Sequence, residues 1–417
     1  MSPAAEPADT QPAWDTAEAV ARRSVGKLVA FLAARTRDVA GAQDALADAF
    51  AAALESWPRT GVPDNPEAWL LTVARRRLID ASRQRRTGEG AAEHLLLLAE
   101  LAQDDEDAPA VPDERLALMF ACAHPAIDPA VRAPLILQTI LGFDAAAIGS
   151  AFLVAPSTMG QRLVRAKTRI RQAGIPFRVP GPADLPERLE AVLDAIYAAY
   201  AEGWADPAGT DARRRNLAGE ALWLGRLVAS LLPGEAEALG LLSLMMHSHA
   251  RRDARRDAAG AYVALAAQDT ALWDAPMIDE AEALLAQAGA LPGLGRYQLE
   301  AAVQSAHSVR RRTGRVDGEA IALLYDALWA LTQSPVVAVN RAIAIAGHHG
   351  AAQGLAALDT LAGDARLQEY QPYWAARASL LAATGATAPA DEAYARAIGL
   401  ERDPAVRAFL QRQASQA

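Results

Sequence analysis

Alanine and leucine recur at three- and four-residue spacing along almost the whole of this 417-residue chain. Apolar residues at that spacing line one face of an α-helix, whereas a half-buried strand needs them at every second position. β-branched residues in such alternation are rare here, and alanine and leucine favour the helix intrinsically. The pattern therefore predicts an all-α fold.

Length and composition limit the class of protein. A chain of 417 residues is long enough for two to four domains with separate cores. The single cysteine, Cys122, excludes an internal disulfide and a cysteine-based zinc site, and its apolar surroundings predict a buried, inert thiol. The N-terminus lacks a signal-peptide pattern, and no apolar run approaches the roughly 20 residues that span a bilayer. We expect a cytoplasmic protein with no membrane segment, no cofactor and no metal.

The charged residues are segregated into blocks within a chain of net charge −9. Six arginines stand between Trp69 and Arg86 against one acid, Asp80. Residues 91–127 then carry eight acids and one cation, and a second basic block lies between residues 128 and 180. A protein that coats DNA uniformly would be basic throughout, so this pattern indicates two separate anion-binding surfaces.

The segment Gly41–Trp57 has the spacing of an amphipathic helix, which Pro58 is expected to end. Asp44 and Asp48 fall on its polar side. The positions expected to face inward are Ala45, Leu46, Ala49, Phe50, Ala53 and Leu54.

The first basic block lies on a helix that Pro66 begins, with Asn65 as its predicted N-cap. Apolar anchors alternate there with arginines that project around the helix. Such a surface suits phosphate contacts and the capture of unstacked bases. A solvated charged helix is the alternative for this stretch taken alone. The anchors are Trp69, Leu70, Val73 and Leu78, and the arginines are Arg75, Arg76, Arg77, Arg83, Arg85 and Arg86.

The second basic block has the layout of a helix-turn-helix: a short helix at Ala145–Phe152, a turn, and a longer helix that Pro156 opens. Arginine and glutamine can form paired hydrogen bonds with guanine and adenine, and hydroxyls reach phosphates or bases. The residues expected to face the groove are Ser157, Thr158, Gln161, Arg162 and Arg165; Lys167, Arg169 and Arg171 are expected to contact phosphate or stay solvated. A helical hairpin with a basic exposed face is the alternative.

Segments rich in glycine, proline and acids divide the chain. The linker at 87–112 contains the run Asp104–Asp107, and four prolines stand between Ile175 and Pro186. The predicted order is a disordered N-terminus (1–15), a first helical domain (16–86), an acidic linker (87–112), a helix-turn-helix domain (113–174), a Pro-rich linker (175–186) and a helical C-terminal domain (187–417).

The C-terminal part resembles a solenoid, because helix pairs follow one another with breaks every few tens of residues. Its last pair fits the tetratricopeptide repeat (TPR) pattern best, although Leu381 and Arg402 depart from it. We therefore predict a TPR-like domain. The matching positions are Trp374, Ala378, Ala390, Tyr394 and Ala397.

Two histidines in this part, His247 and His249, stand beside four arginines and could form an anion or ligand pocket. A solvated or ion-paired face is the alternative, and side chains two apart on a helix point too far apart for a shared metal. His307 is predicted to be a packed core histidine. The arginines are Arg251, Arg252, Arg255 and Arg256.

Three segments together resemble a family. The stretch 42–50, the stretch 66–75 with Asp80, and the helix-turn-helix that ends at Lys167 occur in the order found in bacterial RNA polymerase sigma factors of the extracytoplasmic-function (ECF, sigma-70 superfamily) type. The likeness covers roughly residues 16–174. The helical part resembles the TPR-like extension of one ECF subgroup, notably at 295–302 and 334–341.

The resemblance implies a role for each segment. Asp44, Asp48 and Phe50 match the helix that contacts the coiled coil of the polymerase β′ subunit. Residues 69–86 match the segment that melts and recognises the −10 element, with an arginine at position 76 where relatives commonly carry asparagine. The helix-turn-helix, Lys167 included, matches the −35 domain, and the acidic linker matches the connector that enters the polymerase channels. Core polymerase (β′ coiled coil and β flap), promoter DNA, and a protein or small-ligand regulator of the C-terminal domain are the expected partners.

Two other hypotheses remain open. A helix-turn-helix regulator with a TPR-like sensor could act without polymerase, but the helices at 41–57 and 69–86 would then lack a purpose. An enzyme with its pocket in the C-terminal part is the third hypothesis. No nucleophile-elbow, phosphate-loop or dinucleotide-type glycine motif occurs to support it, so we expect a protein without catalytic activity.

Overall fold

The computed structural model describes residues 11–84, 114–152, 154–181, 183–204 and 217–416, and the chain divides into two compact units, 1–202 and 203–417. Across these ranges the structure consists of α-helices, short 3-10 turns and one isolated bridge between Arg256 and Tyr262, without a strand. The predicted all-α class is confirmed. Among the same residues, no helix combines the length and the apolar character that crossing a lipid bilayer requires.

The first unit is built from eight helices that the structure describes. They are α1 (Gln11–Thr36), α2 (Val39–Thr60), α3 (Pro66–Gln84), α4 (Arg115–Cys122), α5 (Pro129–Leu141), α6 (Ala145–Ala151), α7 (Pro156–Gln172) and α8 (Leu185–Trp204), whose last turn reaches the unit boundary. Helix α1 begins inside the segment predicted to be disordered, and the linker predicted at 87–112 lies outside the described residues.

Helices α1, α2 and α3 pack on one another. Glu67 at the start of α3 accepts hydrogen bonds from Ser24 Oγ (2.6 Å) and Lys27 Nζ (3.2 Å) of α1. The Asn65 cap is confirmed, because its side chain accepts from the Ala68 amide at 3.2 Å. These contacts fix the direction in which α3 leaves the loop.

Helix α2 differs from its prediction at both ends and on one face. It begins at Val39, capped by Asp38, whose carboxylate accepts from the Gly41 amide at 3.0 Å. Pro58 lies inside its last turn, because the bond from Gly61 N to Trp57 O still closes that turn. Leu54, expected to face inward, is 48% exposed, because the buried stripe follows Leu46, Ala49, Ala53 and Trp57 instead.

Helices α4 to α7 form a second group in the same unit. Cys122 at the end of α4 is fully buried, and its thiol lies 3.6 Å from Thr139 Oγ1 of α5. Burial raises the pKa of this thiol to about 12, so it stays protonated at neutral pH. The predicted burial of this thiol is confirmed. An ion pair between Arg132 Nη1 and Glu187 Oε1 (2.9 Å) joins α5 to α8.

Among the described residues, the second unit is a succession of α-helices joined by short connections, with one longer stretch between residues 250 and 274 that contains only 3-10 turns and the isolated bridge. Its helices are α9 (Leu217–Leu231), α10 (Ala236–His249), α11 (Ala275–Gly289), α12 (Arg296–Ser308), α13 (Arg310–Thr313), α14 (Gly318–Thr332), α15 (Pro335–His349), α16 (Ala351–Asp359), α17 (Gln371–Ala383), α18 (Thr387–Leu400) and α19 (Pro404–Ala414).

Neighbouring helices of this unit pack in sequence, α14 on α15, α15 on α16 and α17 on α18. Ala378, Ala390, Tyr394 and Ala397, which the repeat pattern selected, are buried in one cluster, with Trp374 packed against it. A helical array with nearest-neighbour packing suits a solenoid. The assignment to the TPR type stays a prediction.

A buried polar cluster joins α10, α11 and α12. His247 is fully buried, and the Ser308 hydroxyl, which donates to the Gln304 carbonyl, lies 3.2 Å from His247 Nδ1. Glu282 Oε1 lies 3.8 Å from the other ring nitrogen. Burial, followed by the charge of Arg251, lowers the pKa of His247 from 6.5 to about 4.

We predict that this histidine makes unfolding depend on pH. The unfolded chain takes up a proton at His247 below pH 6.5, whereas the folded chain resists it until about pH 4. The contribution to stability is therefore complete above pH 6.5 and is lost as the pH falls towards 4. Between pH 7 and pH 5 it amounts to about 2 kcal/mol.

Urea unfolding at both pH values measures this loss. The His247→Gln variant should lose less stability than the wild type over that interval, whereas changing the exposed His348 to glutamine should leave the loss unchanged. Equal losses in the wild type and the His247→Gln variant would contradict the assignment.

Candidate nucleic-acid and polymerase interfaces

The predicted helix-turn-helix is formed by α6 and α7. Asp144 caps α6, accepting from the amides of Ala146 (3.0 Å) and Ala147 (2.8 Å). The turn is closed by a hydrogen bond from Val154 N to Gly149 O at 2.8 Å, and Pro156 then starts α7 with its ring in the first turn. The two helices pack directly on each other.

Helix α7 presents one apolar and one polar face. Met159, Leu163, Ala166 and Ile170 are buried at spacings of three and four. The exposed face carries the residues predicted to meet the major groove, Ser157, Thr158, Gln161, Arg162 and Arg165. The structure thus brings these five polar side chains to one surface.

Two cations further along α7 contact the first helix group. Lys167 Nζ donates to Gln43 Oε1 of α2 at 3.0 Å, and Arg171 Nη1 lies 3.2 Å from Asp38 Oδ2. Burial lowers the pKa of Lys167, an effect that the charge of Asp44 opposes. Both cations therefore have protein partners, a third possibility beside the phosphate contact and the solvation expected for them.

Some of the residues predicted on α3 are packed against other helices, and others are exposed. Trp69 is half-buried and makes an edge contact with the buried Trp57, with 5.5 Å between the ring centroids. The guanidinium carbon of Arg75 lies 5.3 Å from the centre of the Phe31 ring, within the range of a cation–π interaction. Arg76 and Arg77 are exposed. The described part of the chain does not include the side chain of Arg83 or the residues Arg85 and Arg86.

The polar face of α2 is acidic, as predicted. Asp44 and Asp48 are exposed, Phe50 is half-buried, and Asp48 Oδ2 lies 4.0 Å from Arg77 Nε. Glu55 is exposed on the same face and extends this surface beyond the predicted residues, whereas the exposed Leu54 lies on the adjoining face. The heptad spacing from Asp48 to Glu55 is the signal that identifies the latter.

The histidine and arginine group of the second unit is engaged in local contacts. Arg255 donates to the Trp204 carbonyl at 2.8 Å and lies over the Trp204 ring, and Arg256 forms an ion pair with Asp403. Arg252 contacts His249. These contacts favour the ion-paired face over a ligand pocket. The described residues contain no group of three His, Cys, Asp or Glu side chains that could hold a metal ion.

Comparison with known proteins identifies two family models and one relative. The model of sigma-70 region 2 matches residues 20–87, and that of a family of unknown function (DUF6596) matches residues 188–289. An uncharacterized protein of Rhizobium meliloti (strain 1021) is 39% identical over 378 residues, which cover 89% of each chain. No solved structure matches the chain. The sigma-70 region 2 match coincides with the α1–α3 group.

We predict that Gly149 is required for the turn before α7. A Cβ atom there would lie 2.5 Å from the Val154 carbonyl oxygen, so Gly149→Ala must displace the backbone of the turn. The free energy of unfolding should fall by about 1–3 kcal/mol. Gly160→Ala is the matched control, because its added Cβ meets only the Ala145 Cβ at 3.8 Å and alanine favours the helix. Denaturant unfolding followed by circular dichroism compares them, and equal stability of the two variants would refute the role of Gly149.

Proposed function

Because the chain belongs to the sigma-70 family, as an ECF-like sigma factor with a C-terminal extension, we propose that it binds core RNA polymerase and directs promoter-specific transcription initiation. The sigma-70 family is a family of transcription factors without enzymatic activity. One observation carries the proposal: the three helices that match sigma-70 region 2 are followed by a helix-turn-helix whose second helix exposes a polar and basic face.

The proposed −35 contacts follow from the exposed face of α7. A recognition helix places its N-terminal residues at the base edges, and Gln161 and Arg162 lie within its first two turns. Their side chains can form paired hydrogen bonds to adenine and guanine. Ser157 and Thr158 reach phosphates or bases beside them.

The proposed −10 surface is α3. The exposure of its side chains reduces the number of residues that we propose to contact DNA. Arg76 and Arg77 are exposed and available to the DNA strand. Trp69 and Arg75 are held against Trp57 and Phe31, so we assign them to support of this surface rather than to capture of a base. Arginine at position 76 can also bind phosphate, which an asparagine does only as a neutral donor.

The proposed polymerase contact is the exposed face of α2 that carries Asp44, Asp48 and Glu55. An acidic face suits a basic partner surface, such as the β′ coiled coil. A net charge of −9 fits this proposal, because polymerase supplies affinity that the acidic chain alone does not obtain from phosphate contacts.

In the same proposal, the helical second unit regulates access to these surfaces, and the protein acts in the cytoplasm.

We predict that the full-length chain, added to bacterial core polymerase, gives run-off transcripts from promoters selected by genomic footprinting. Asp48→Lys should weaken polymerase binding by at least about tenfold, because it places a like charge against the basic partner. Asp64→Lys makes the same charge change at an exposed loop position outside this face and serves as the control. Binding to duplex promoter DNA without any polymerase-dependent initiation would favour the polymerase-independent regulator instead.

A second prediction separates base contacts from phosphate contacts on α7. Gln161→Ala and Arg162→Ala should each change −35 preference by about 1–3 kcal/mol for every pair of hydrogen bonds removed. Arg169→Ala, at an exposed position further along the helix, should weaken all sequences equally. Competition among a library of −35 variants, with initiation as the readout, measures both effects. A uniform loss for Arg162→Ala would assign that residue to phosphate.

A further inference from the structure

In the second unit, two arginines and a histidine are grouped around one tryptophan. The ends of α10 and α12 are held together there, because the Ser308 hydroxyl lies 3.2 Å from His247 Nδ1. Arg251 lies two residues beyond the end of α10, and Arg310 lies two residues beyond the end of α12. Contact between the helix ends therefore brings both arginines to one place. The Trp273 cluster consists of Arg251, Trp273, His307 and Arg310.

Both arginines lie against the ring of Trp273. The guanidinium carbon of Arg310 is 5.2 Å from the centre of that ring, and the guanidinium carbon of Arg251 is 5.8 Å from it. Arg251 is the buried member of the four arginines beside His249, with 6% of its surface exposed, and Trp273 is 4% exposed. Water and salt screen buried charges weakly, so the two cations raise the electrostatic potential around this indole.

No carboxylate pairs with Arg310 in the described part of the chain. Its two Nη atoms donate to the carbonyl oxygens of Ala266 (2.6 Å) and Gln268 (2.7 Å). A guanidinium has five N–H donors in a fixed plane, so three of them remain for another acceptor. The neighbouring Arg311, by contrast, pairs with Asp279 at 2.7 Å. Arg310 thus keeps both the charge and the donors that an anion requires.

Two other ring nitrogens of the cluster find no hydrogen-bond acceptor among the described residues. Trp273 Nε1 is buried without an acceptor. The partly exposed ring of His307 also makes no hydrogen bond there, and burial, followed by the charges of Arg251 and Arg310, lowers its pKa from 6.5 to about 4. Burying a donor without an acceptor costs free energy, and native structures usually supply a partner at such positions.

The acids of the adjacent helix α11 do not neutralise the cluster, because each of them contacts another side chain. The two charges that shift the pKa of His307 are both positive. Burying positive charge without a counter-charge is unfavourable. The contacts of these acids are Asp279 with Arg311, Glu280 with Arg226, and Glu282 with Ser305.

We propose that the Trp273 cluster is a binding site for a small oxyanion of the phosphate class. Arginine donors match the oxygens of phosphate, and a bound anion neutralises the buried positive charge. The imidazole and the indole N–H provide further donors. Donors that come from several segments suit a tetrahedral group with four oxygens better than a planar carboxylate with two. The cluster belongs to the second unit, so the proposal does not rest on the sigma-factor function of the first.

Binding is measured by calorimetry on the full-length chain, with inorganic phosphate as the probe at constant ionic strength. The wild type should bind phosphate with a Kd of about 1 mM or below. Arg310→Gln should weaken binding at least about tenfold, because charge-assisted hydrogen bonds are lost. Arg312→Gln is the matched control, since it removes the same charge at an exposed position of α13. It should change the Kd by less than about twofold, because an exposed charge at a distance is screened.

A milder variant keeps the test valid if Arg310→Gln disturbs folding, which circular dichroism would reveal. Trp273→Phe removes the indole N–H and retains an aromatic ring in the buried position. It should weaken phosphate binding at least about threefold, because one donor to the anion is lost.

The protonation of His307 gives a readout that a purely structural role would not change. NMR should show its ring titrating near pH 4 in the free chain. Sulfate, a tetrahedral dianion whose charge stays constant over this range, should raise the pKa towards its ordinary value of 6.5, because a nearby anion favours the imidazolium. The rise should persist in Arg312→Gln and be smaller in Arg310→Gln, and His307→Gln assigns the resonance.

Three outcomes would overturn the proposal. They are the absence of phosphate binding at concentrations far above the expected Kd, equal weakening by Arg310→Gln and Arg312→Gln, and tighter binding of succinate than of phosphate. Glycerol phosphate compared with inorganic phosphate distinguishes a phosphomonoester ligand from the free anion, and binding of either supports the site. None of these measurements involves polymerase, so a failure here leaves the proposed transcription function unaffected.

Discussion

The close packing of α1 between two helix groups is the constraint on which the first unit depends. Gly26 lets the backbone of α1 lie against the end of α5, and the residues that follow it bury their side chains on both sides. Neither helix group forms a complete core by itself, because α4 and the centre of α1 would each lose one of their covering surfaces. The arrangement of the two helix groups therefore depends on one shared helix, α1.

Exposed charges are distributed unevenly among the helices of the first unit. The chain is acidic overall, yet α3 exposes Arg76 and Arg77 and α7 exposes four arginines, while α2 exposes Asp44, Asp48 and Glu55. An ion pair between Arg171 of α7 and Asp38, the cap of α2, joins the two helix groups. A half-exposed ion pair of this kind contributes little to stability by itself. The ion pair instead determines orientation, because it holds one face of α7 against the start of α2 and leaves the opposite face exposed.

Local pattern was sufficient to predict much of the fold. Helical periodicity identified the α2, α3 and α7 segments, and the cap residue Asn65 and the first-turn residue Pro156 marked helix starts. Contacts between distant segments could not be predicted, because periodicity describes one helix at a time. Lys167 and Gln43 are 124 positions apart, and nothing in either segment indicates their contact. The inward orientation of Arg75 likewise depends on Phe31, a residue of another helix.

The two halves of α7 have different surroundings, and only the C-terminal half packs against α2 and its cap. Base-facing candidates such as Arg162 stand on the N-terminal half and are exposed, whereas Lys167 and Arg171 on the C-terminal half are held by α2 and its cap. Phosphate contacts provide most of the affinity for DNA, and base contacts provide the specificity. The packing on α2 therefore engages cations suited to affinity, and it leaves the side chains suited to sequence recognition exposed.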